Sequence, residues 1–499
     1  TSVVLQAQGK IEPDTMSKVK NIIEGEKMAV ICFICEGAYP YIVGGVSSWI
    51  HELISSNPQH FFKVLCIIPN KEFAKVKYKI PKNVVEIKNI YMDPYLNFSY
   101  LKVLRENMQK NEEKEKSIEE LLLFQMNKDK EKLNKVEDVF SKKMGTPLEI
   151  ILSKEYWEIL LKYYNQHYSK GNFSTYYWTY RNIILNLLKI GQESIPKAHI
   201  YHSVATGYAG FLGAVIAHQK KGKFLLTEHG IYPREREEEV LASSWIDADF
   251  KSIWIDYFYY LSKLAYQYCD KIISLFEYNR NIQIEYGAPE EKTIVIPNGV
   301  DEKKYGSIVR NKRKGFHVGS ILRVVPIKDV KMMIKGFKIA SDQIPDMTLW
   351  LIGPTDEDDD YYEECLKLVE NLGLKEKVIF TGRADVTEYY SFLDLLLLTS
   401  ISEGQPLSIL EGLASGIPFI ATDVGNCREI LIGKTDIGEA GIIIPPTSYV
   451  DLSKALVELY NSPEKLEKFS VNGKKIVNKY YSKAAFIEHY RKIYDEMGG

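Results

Sequence analysis

Two cations in the second half of the chain have the types and the spacing to bind phosphate. Arg323 follows the apolar segment His317–Leu322, and Lys328 comes five positions later, after a turn through Pro326. Arginine offers a planar fork to two phosphate oxygens, and lysine offers a mobile point charge. Both could stabilise the charge that develops on a departing nucleoside diphosphate. Taken alone, a basic pair after a strand is explained equally well by surface solvation.

Two carboxylates lie at the start of a helix that is predicted to follow the apolar strand Leu393–Leu398. Glu403 precedes the helix and Glu411 lies within it, while the amides of Leu407 and Ser408 in its first turn could bind a phosphate anion. Carboxylates accept hydrogen bonds from hydroxyl groups, so one could hold a ribose and the other a transferred sugar. The simpler alternatives, a capping Glu403 and a solvated Glu411, leave the coincidence with the two cations unexplained.

The first half of the chain offers a glycine loop and one histidine. Gly44 and Gly45 lie between an apolar strand and a helical pattern, where glycine lets backbone amides approach a ligand closely. His229 follows the strand Lys223–Thr227, and ligands of parallel sheets bind at the carboxyl ends of their strands. A lone histidine is more often structural, and that alternative stays open. The loop lacks the G-x-G-x-x-G pattern, which disfavours a dehydrogenase.

The elements that must position these residues follow from the alternation of apolar, strand-length segments with helical patterns. This alternation predicts an α/β fold with two parallel, doubly wound sheets. The predicted strands are Met28–Cys35, Phe62–Ile68, Ala198–His202, Lys223–Thr227, Lys271–Leu275, Thr293–Ile296, His317–Leu322, Thr348–Ile352, Lys377–Phe380, Leu393–Thr399, Pro418–Ala421 and Gly441–Ile444.

The same pattern predicts how the chain is divided. The segment at about 91–190 shows no clear strand and is predicted to be a helical insertion. Its aromatic residues either pack on their own domain, form a docking surface for a partner, or form a platform for an acceptor sugar. The predicted parts are a disordered leader at 1–27, a first domain at 28–300, a hinge at 301–316, a second domain at 317–480, and a helix at 481–499 that packs back toward the first domain.

Composition limits the function. Lys plus Arg total 64 and Asp plus Glu total 66, giving a formal charge of −2, which disfavours nucleic acid or an anionic membrane as a partner. No apolar segment approaches the ~20 residues that cross a bilayer. Six cysteines scattered along the chain favour a reducing compartment, so we expect a cytoplasmic protein. Cys32 and Cys35 are expected to be core thiols.

The spacings R-x4-K and E-x7-E, in this order, resemble the retaining GT-B glycosyltransferases of family GT4. The segments 36–51, 206–210 and 228–232 further resemble the PelF family of Pel exopolysaccharide synthesis. The resemblance implies two Rossmann-like domains facing a central cleft. It implies that Arg323 and Lys328 bind the donor diphosphate, that Glu411 holds the ribose and that Glu403 contacts the transferred sugar.

The resemblance also extends the candidate site. It implies that Gly45 approaches diphosphate or acceptor, that His229 lies near the anomeric centre and that the loop with Arg383 holds the base. The expected catalytic residues are His229, Glu403, Arg323 and Lys328. The expected donor-binding residues are Gly44, Gly45, Arg323, Lys328, Arg383, Glu403, Gly404, Pro406, Leu407, Ser408 and Glu411.

The implied activity is that of a retaining hexosyltransferase. It would move a hexose or N-acetylhexosamine from a UDP-sugar to a growing Pel-type polysaccharide, without a metal or other cofactor. Its expected partners are membrane-embedded synthase proteins, and the chain itself is expected to have no membrane span. Two alternatives stay open: an epimerase or phosphorylase of the same architecture, and a non-catalytic scaffold that binds nucleotide sugar.

Overall fold

The chain divides into two compact units in the computed structural model, which describes residues 28–93, 112, 115–119, 140, 143–168 and 171–498. The first unit comprises the chain up to Val295 and again from Tyr490, and the second comprises Ile296–His489. The predicted leader at 1–27 and much of the predicted insertion at 91–190 lie outside the described residues. Across the described ranges, no helix combines the length and the apolar character that a membrane span needs.

The first unit is built on a parallel sheet which, within the described residues, has the strand order β3-β2-β1-β4-β5-β6-β7. Nearly every position of β1 and β2 is buried, as expected for a parallel sheet covered on both faces. β3 was not predicted, because polar residues interrupt its apolar pattern at the sheet edge. The strands are β1 (Val30–Glu36), β2 (Phe61–Ile68), β3 (Val84–Tyr91), β4 (Ile200–Ser203), β5 (Lys223–Glu228), β6 (Lys271–Ser274) and β7 (Thr293–Val295).

Helices cover this sheet, and aromatic residues of the predicted insertion contribute to the core. Tyr156, Tyr176 and Tyr180 are fully or almost fully buried in that core, whereas Trp157 and Trp178 are exposed. Most of the aromatic pattern therefore serves packing within the unit. The helices are α1 (Gly45–Ser56), α2 (Pro147–Ile151), α3 (Lys154–His167), α4 (Phe173–Gly191), α5 (Tyr208–His218), α6 (Tyr232–Ala242), α7 (Lys251–Tyr268) and α8 (Glu277–Glu285).

The second unit repeats the plan, with described strands in the parallel order β10-β9-β8-β11-β12-β13. The predicted α/β class with two Rossmann-like parallel sheets is thus confirmed. The strands are β8 (Phe316–Ile321), β9 (Met347–Ile352), β10 (Val378–Gly382), β11 (Leu395–Leu398), β12 (Phe419–Thr422) and β13 (Gly441–Ile444). The helices are α9 (Glu302–Gly306), α10 (Val330–Ser341), α11 (Asp359–Asn371), α12 (Val386–Tyr390), α13 (Leu407–Ala414), α14 (Cys427–Leu431), α15 (Tyr449–Tyr460) and α16 (Pro463–Tyr480).

The division between the units falls at Val295, earlier than the hinge predicted at 301–316. That segment contains α9, whose first turn is capped by Asp301 through a hydrogen bond from the amide of Lys304 at 2.9 Å. The backbone of Val300 is bonded to Tyr481 and Lys483 of the second unit. The polar composition suggested a linker, but these bonds make the segment part of the second unit.

The last helix, α17 (Lys483–Gly498), contributes to both units, because the first unit resumes at Tyr490. Tyr490 and Tyr494 are fully buried. The hydroxyl of Tyr490 is bonded to Thr227 of β5 at 3.1 Å, and that of Tyr494 to His202 of β4 at 2.9 Å. The end of the chain is therefore part of the core of the first unit.

Candidate active site

Lys328 is fixed by the turn that follows β8. It ends a short 3-10 turn, Pro326–Lys328, and its carbonyl accepts a hydrogen bond from the hydroxyl of Thr399 at 2.9 Å. The next residue, Asp329, has a φ of 45° and caps α10 with its carboxylate, which accepts from the amide of Met332 at 3.2 Å. The backbone carrying the Lys328 side chain is thereby attached to the carboxyl end of β11.

Glu403 lies in the loop after β11 and pairs with Lys328. The lysine ammonium and the hydroxyl of Ser400, at 2.6 Å, both donate to the same carboxylate oxygen. The side chains of Lys328 and Glu403 are 20% and 13% exposed, so water screens the pair only in part. Removing either partner would leave the other charge uncompensated. The structure therefore brings together two of the predicted catalytic residues.

The loop that carries Glu403 is supported by the turn before α14. Gly425 has a φ of 52°, and a Cβ there would collide with the carbonyl oxygens of Glu403 and Gly404. The amide of Asn426 donates to the carbonyl of Gly404 at 3.1 Å. Glycine is therefore required at 425 both for its backbone conformation and for this close approach.

The N-terminus of α13 is open, unlike those of α10 and α11. Asp329 caps α10 and Asp358 caps α11, whereas Pro406 precedes α13 and no described side chain caps that helix. Its first turn also contains no acidic residue. The amides near Leu407 and Ser408 thus keep the partial positive charge that favours a phosphate group.

Glu411 lies on α13, one helical turn after Leu407. The hydroxyl of Tyr390 donates to its carboxylate at 3.3 Å, and Tyr305 is a second hydrogen-bonding neighbour. Burial raises the pKa of Glu411, and the hydrogen bonds from Tyr305 and Tyr390 oppose this shift. The two hydroxyls hold the carboxylate in a defined orientation, which suits recognition of a diol.

The two predicted arginines are not part of the Lys328–Glu403 pair. Arg323 forms a salt bridge with Glu357 at 2.8 Å, and Arg383 forms one with Asp356 at 3.0 Å. Both arginine side chains are more than half exposed, so these pairs are weak and exchangeable. Two acidic residues of the segment after β9, Asp356 and Glu357, therefore neutralise both arginines in this structure.

In the first unit, His229 follows β5 and packs against an aromatic ring. Its imidazole makes an edge-to-face contact with Trp49, with the ring centroids 4.7 Å apart. Its Nε2 atom is buried and has no hydrogen-bond partner among the described residues. Burial lowers the pKa of His229 to about 4, so the ring is neutral near pH 7. An unpaired, buried nitrogen is costly unless a ligand or water bonds to it.

The predicted glycine loop leaves room for a ligand in the first unit. Gly44 precedes α1 and Gly45 begins it, and a Cβ at either glycine would meet no described atom within 4 Å. α1 has no side-chain cap from the described residues. The loop is therefore open at a helix N-terminus.

Glu36, at the end of β1, was not predicted as functional but fills the N-terminus of α5. Its carboxylate accepts from the amide of Ala209 at 3.4 Å and from the hydroxyl of Tyr232 at 3.1 Å. A Cβ on Gly207 would collide with Tyr232 and Glu36, so no external anion has space there. The only sequence signal was a charge at the end of an apolar strand.

Glu228, which precedes His229, is a second buried carboxylate that the sequence did not reveal as important. It accepts hydrogen bonds from the hydroxyl of Tyr266 at 2.6 Å, from Gln283 at 2.9 Å and from the amide of Tyr232 at 3.1 Å. These bonds attach α6, α7 and α8 to the end of β5. They fix the backbone on which His229 lies.

The bonds of His202 predict a pH dependence of stability. Its Nε2 lies 2.8 Å from the hydroxyl of Thr227, and burial lowers its pKa to about 3, against about 6.5 for a free histidine. The unfolded chain then binds a proton that the folded chain does not. Above pH 6.5 the protonation of His202 does not lower the free energy of unfolding. Below pH 6.5 that free energy is expected to fall by about 1.4 kcal/mol per pH unit, as the pH drops toward 3.

Urea unfolding between pH 7.5 and 4.5 measures this dependence. His202→Gln is expected to lower the slope of the free energy of unfolding against pH by the equivalent of about one proton. Equal slopes for the wild type and His202→Gln would contradict the argument.

Within the described ranges, no group of three or more His, Cys, Asp or Glu side chains is arranged to hold a metal ion. The six cysteines are buried and unpaired with one another. Burial raises the pKa of Cys32 to about 12, which makes it unreactive.

The chain is similar to known proteins both in sequence and in fold. The chain is 29% identical over 325 residues to the uncharacterized glycosyltransferase MJ1178 of Methanocaldococcus jannaschii, covering 63% of this chain and 80% of that protein. It is 22% identical over 307 residues to the N-acetyl-alpha-D-glucosaminyl L-malate synthase of Bacillus anthracis, covering 61% and 76%. Among solved structures, Anabaena Alr3699/HepE in complex with UDP matches with a TM-score of 0.59 at 14% identity, covering 93% and 99%.

The family matches divide the chain in the same way as the fold does. Residues 302–476 match the family described as Glycosyl transferases group 1. Residues 29–291, more than half of the chain, match the family described as Domain of unknown function (DUF3492). The chain therefore belongs to the DUF3492 family and is a glycosyltransferase of the GT-B type.

Proposed function

We propose that this protein is a retaining, metal-independent hexosyltransferase that uses a UDP-sugar as its donor. The observation that carries the proposal is the Lys328–Glu403 pair beside the open N-terminus of α13. A diphosphate bound there would pair with the Lys328 ammonium and accept hydrogen bonds from the helix amides. The sugar hydroxyls would donate hydrogen bonds to the Glu403 carboxylate. Glu411, one turn further along α13, would accept from the ribose.

The mechanism follows from what these groups do to charge. Lys328 and the amides at the start of α13 stabilise the negative charge on the departing diphosphate, which is the role that a metal ion fills elsewhere. No carboxylate is assigned as a nucleophile, so attack on the same face as the leaving group is proposed. The departing phosphate oxygen then takes the acceptor proton. His229, neutral at pH 7, would lie near the anomeric centre, as the resemblance implies.

The arginines and the glycine loop have supporting roles in this proposal. Arg323 would release Glu357 and bind a phosphate oxygen. Arg383 would release Asp356 and contact the base. Gly44 and Gly45 would let the backbone approach diphosphate or acceptor. UDP is supported as the nucleotide by the Anabaena HepE structures, which contain UDP or UDP-glucose.

The acceptor and the setting are also part of the proposal. A growing Pel-type exopolysaccharide would receive a hexose or N-acetylhexosamine at the cytoplasmic side of the membrane, with membrane-embedded synthase proteins as partners. The resemblance of the segments 36–51 and 228–232 to the PelF family supports this choice.

A thermal-shift screen across UDP-, GDP- and ADP-sugars, followed by a transfer assay with the stabilising donor, tests the proposal. We expect stabilisation by a UDP-sugar, transfer with retained anomeric configuration, and the same rate in EDTA. Conversion of UDP-sugar alone to an isomer would indicate an epimerase, and a requirement for free phosphate would indicate a phosphorylase. Absence of UDP binding would contradict the proposed donor.

The role of Glu411 gives a separate prediction. Glu411→Gln is expected to weaken UDP binding ~10-fold or more, because hydrogen bonds to a charged acceptor contribute about 1.5–3 kcal/mol. Calorimetry with UDP and with 2′,3′-dideoxy-UDP measures this. The dideoxy compound lacks the hydroxyls, so wild type and variant should bind it equally. A similar loss for both ligands would place Glu411 away from the ribose.

A further inference from the structure

Gln405 fastens the loop of Glu403 to the segment where the chain enters the second unit. Its side-chain oxygen accepts from the amide of Asn298 at 2.7 Å, and its side-chain nitrogen donates to the carbonyl of Asn298 at 3.5 Å. Gln405 and Asn298 are each 8% exposed. One glutamine thus bonds to both backbone groups of a residue 107 positions away.

Asn298 is a firm attachment point because the residues after it are held by the chain that returns from α16. The amide of Val300 donates to the carbonyl of Tyr481 at 2.9 Å, and the amide of Lys483 donates to the carbonyl of Val300 at 2.9 Å. A Cβ on Gly299 would lie 2.7 Å from Phe486. The segment at Asn298 is therefore packed too closely to follow a moving loop.

The Glu403 loop consequently has two attachments, at Gly404 and at the residue after it. The amide of Asn426 holds the carbonyl of Gly404, and Asn298 holds the side chain of Gln405. Without the glutamine bonds, the bond from Asn426 would be the remaining one of these two attachments, and the backbone at Gly404 would rotate more freely. The Glu403 carboxylate would then leave the position where it meets Lys328 and Ser400.

We propose that Gln405 is a positioning residue for glycosyl transfer, which holds the Glu403 carboxylate in place without contacting the substrate itself. This inference rests on the proposed role of Glu403 at the donor sugar. A shift of about 1 Å in a positioning group can cost ~10²-fold in rate, so loss of the glutamine bonds should lower turnover more than it lowers nucleotide affinity.

Kinetics of the full-length chain with a matched control tests the proposal. Gln405→Met keeps the side-chain volume but loses both bonds, and Gln405→Glu keeps an acceptor for the Asn298 amide. Asn472→Leu is the control, because Asn472 is 7% exposed and donates one amide bond to the carbonyl of Glu439 at 2.8 Å. Its bond is of the same kind but lies outside the Glu403 loop.

We expect Gln405→Met to lower kcat ~10-fold or more with the Kd for UDP changed less than ~3-fold. Gln405→Glu is expected to recover kcat to within ~3-fold of the wild type, and Asn472→Leu to lower only the Tm. An unchanged kcat in Gln405→Met, or equal losses of kcat in Gln405→Met and Asn472→Leu, would overturn the proposal.

Hydrogen exchange without any ligand separates this inference from the proposed function. In Gln405→Met, the amide of Asn298 and those at 402–405 should exchange ~10-fold faster than in the wild type, whereas Asn472→Leu should leave them unchanged. Unchanged exchange in Gln405→Met would overturn the positioning role. Failure of the wild type to use a UDP-sugar would instead overturn the proposed function while the exchange result stands.

Discussion

Replacing Glu403 by alanine is expected to lower transfer from the donor sugar ~10²-fold or more while the protein stays folded. The carboxylate is 13% exposed, receives hydrogen bonds from Lys328 and Ser400, and is proposed to accept from the sugar hydroxyls. Its loss removes an acceptor aligned before the reaction begins, and such groups typically contribute 10²–10³-fold. The measurement is kcat/KM for the UDP-sugar, with circular dichroism to confirm folding.

Glu429→Ala is the matched control for Glu403→Ala. Glu429 pairs with Lys434 at 2.9 Å, and these side chains are 30% and 19% exposed, so a partly buried ion pair of the second unit is again broken. We expect a lower Tm and nearly unchanged transfer in the control. Wild-type turnover in Glu403→Ala would refute the assignment of Glu403.

Lys328→Ala is expected to cause a loss of at least ~10²-fold in transfer, because the cation proposed to stabilise the departing diphosphate is gone. The Glu403 carboxylate would also remain beside the phosphate site without its partner, and its repulsion should weaken UDP binding. Kinetics and calorimetry with UDP measure the two effects. Lys434→Ala serves as the control, since Lys434 is a cation of similar exposure in the same unit.

The double variant of Lys328 and Glu403 tests whether the pair acts as one group. Because the two side chains are in contact, their effects should not add, and the double variant should transfer about as slowly as the worse single variant. Fully additive losses would mean that Lys328 and Glu403 contribute independently, and the pair would then have no joint role in stabilising the donor.

Much of the fold could be predicted from the sequence because its main signals are local. The apolar β11, Leu395–Leu398, followed by Pro406 and the helical pattern from Leu407 to Ala414 indicated a strand, a loop and a helix in that order, and the structure has them. β3 was missed because its pattern includes Glu86 and Lys88. An edge strand buries fewer of its side chains, so its apolar signal is weaker.

The candidate site was predictable in its residue types but not in its pairings. The spacing from Arg323 to Lys328 suggested that both cations bind phosphate, yet Lys328 bonds to Glu403 while Arg323 bonds to Glu357. Spacing along the chain does not specify which long side chain meets which carboxylate across two loops. The role of Gln405 was equally hidden, since its partner Asn298 lies 107 positions away in sequence.

The sequence by itself determined the alternation of strands and helices, and with it two parallel sheets with polar residues at their strand ends. Apolar periodicity and helix start signals depend only on neighbouring residues. Only the tertiary structure decided that Glu36 fills the N-terminus of α5 while that of α13 stays open to an anion. That difference depends on which side chain reaches each helix end, and contacts between distant segments of the folded chain decide it.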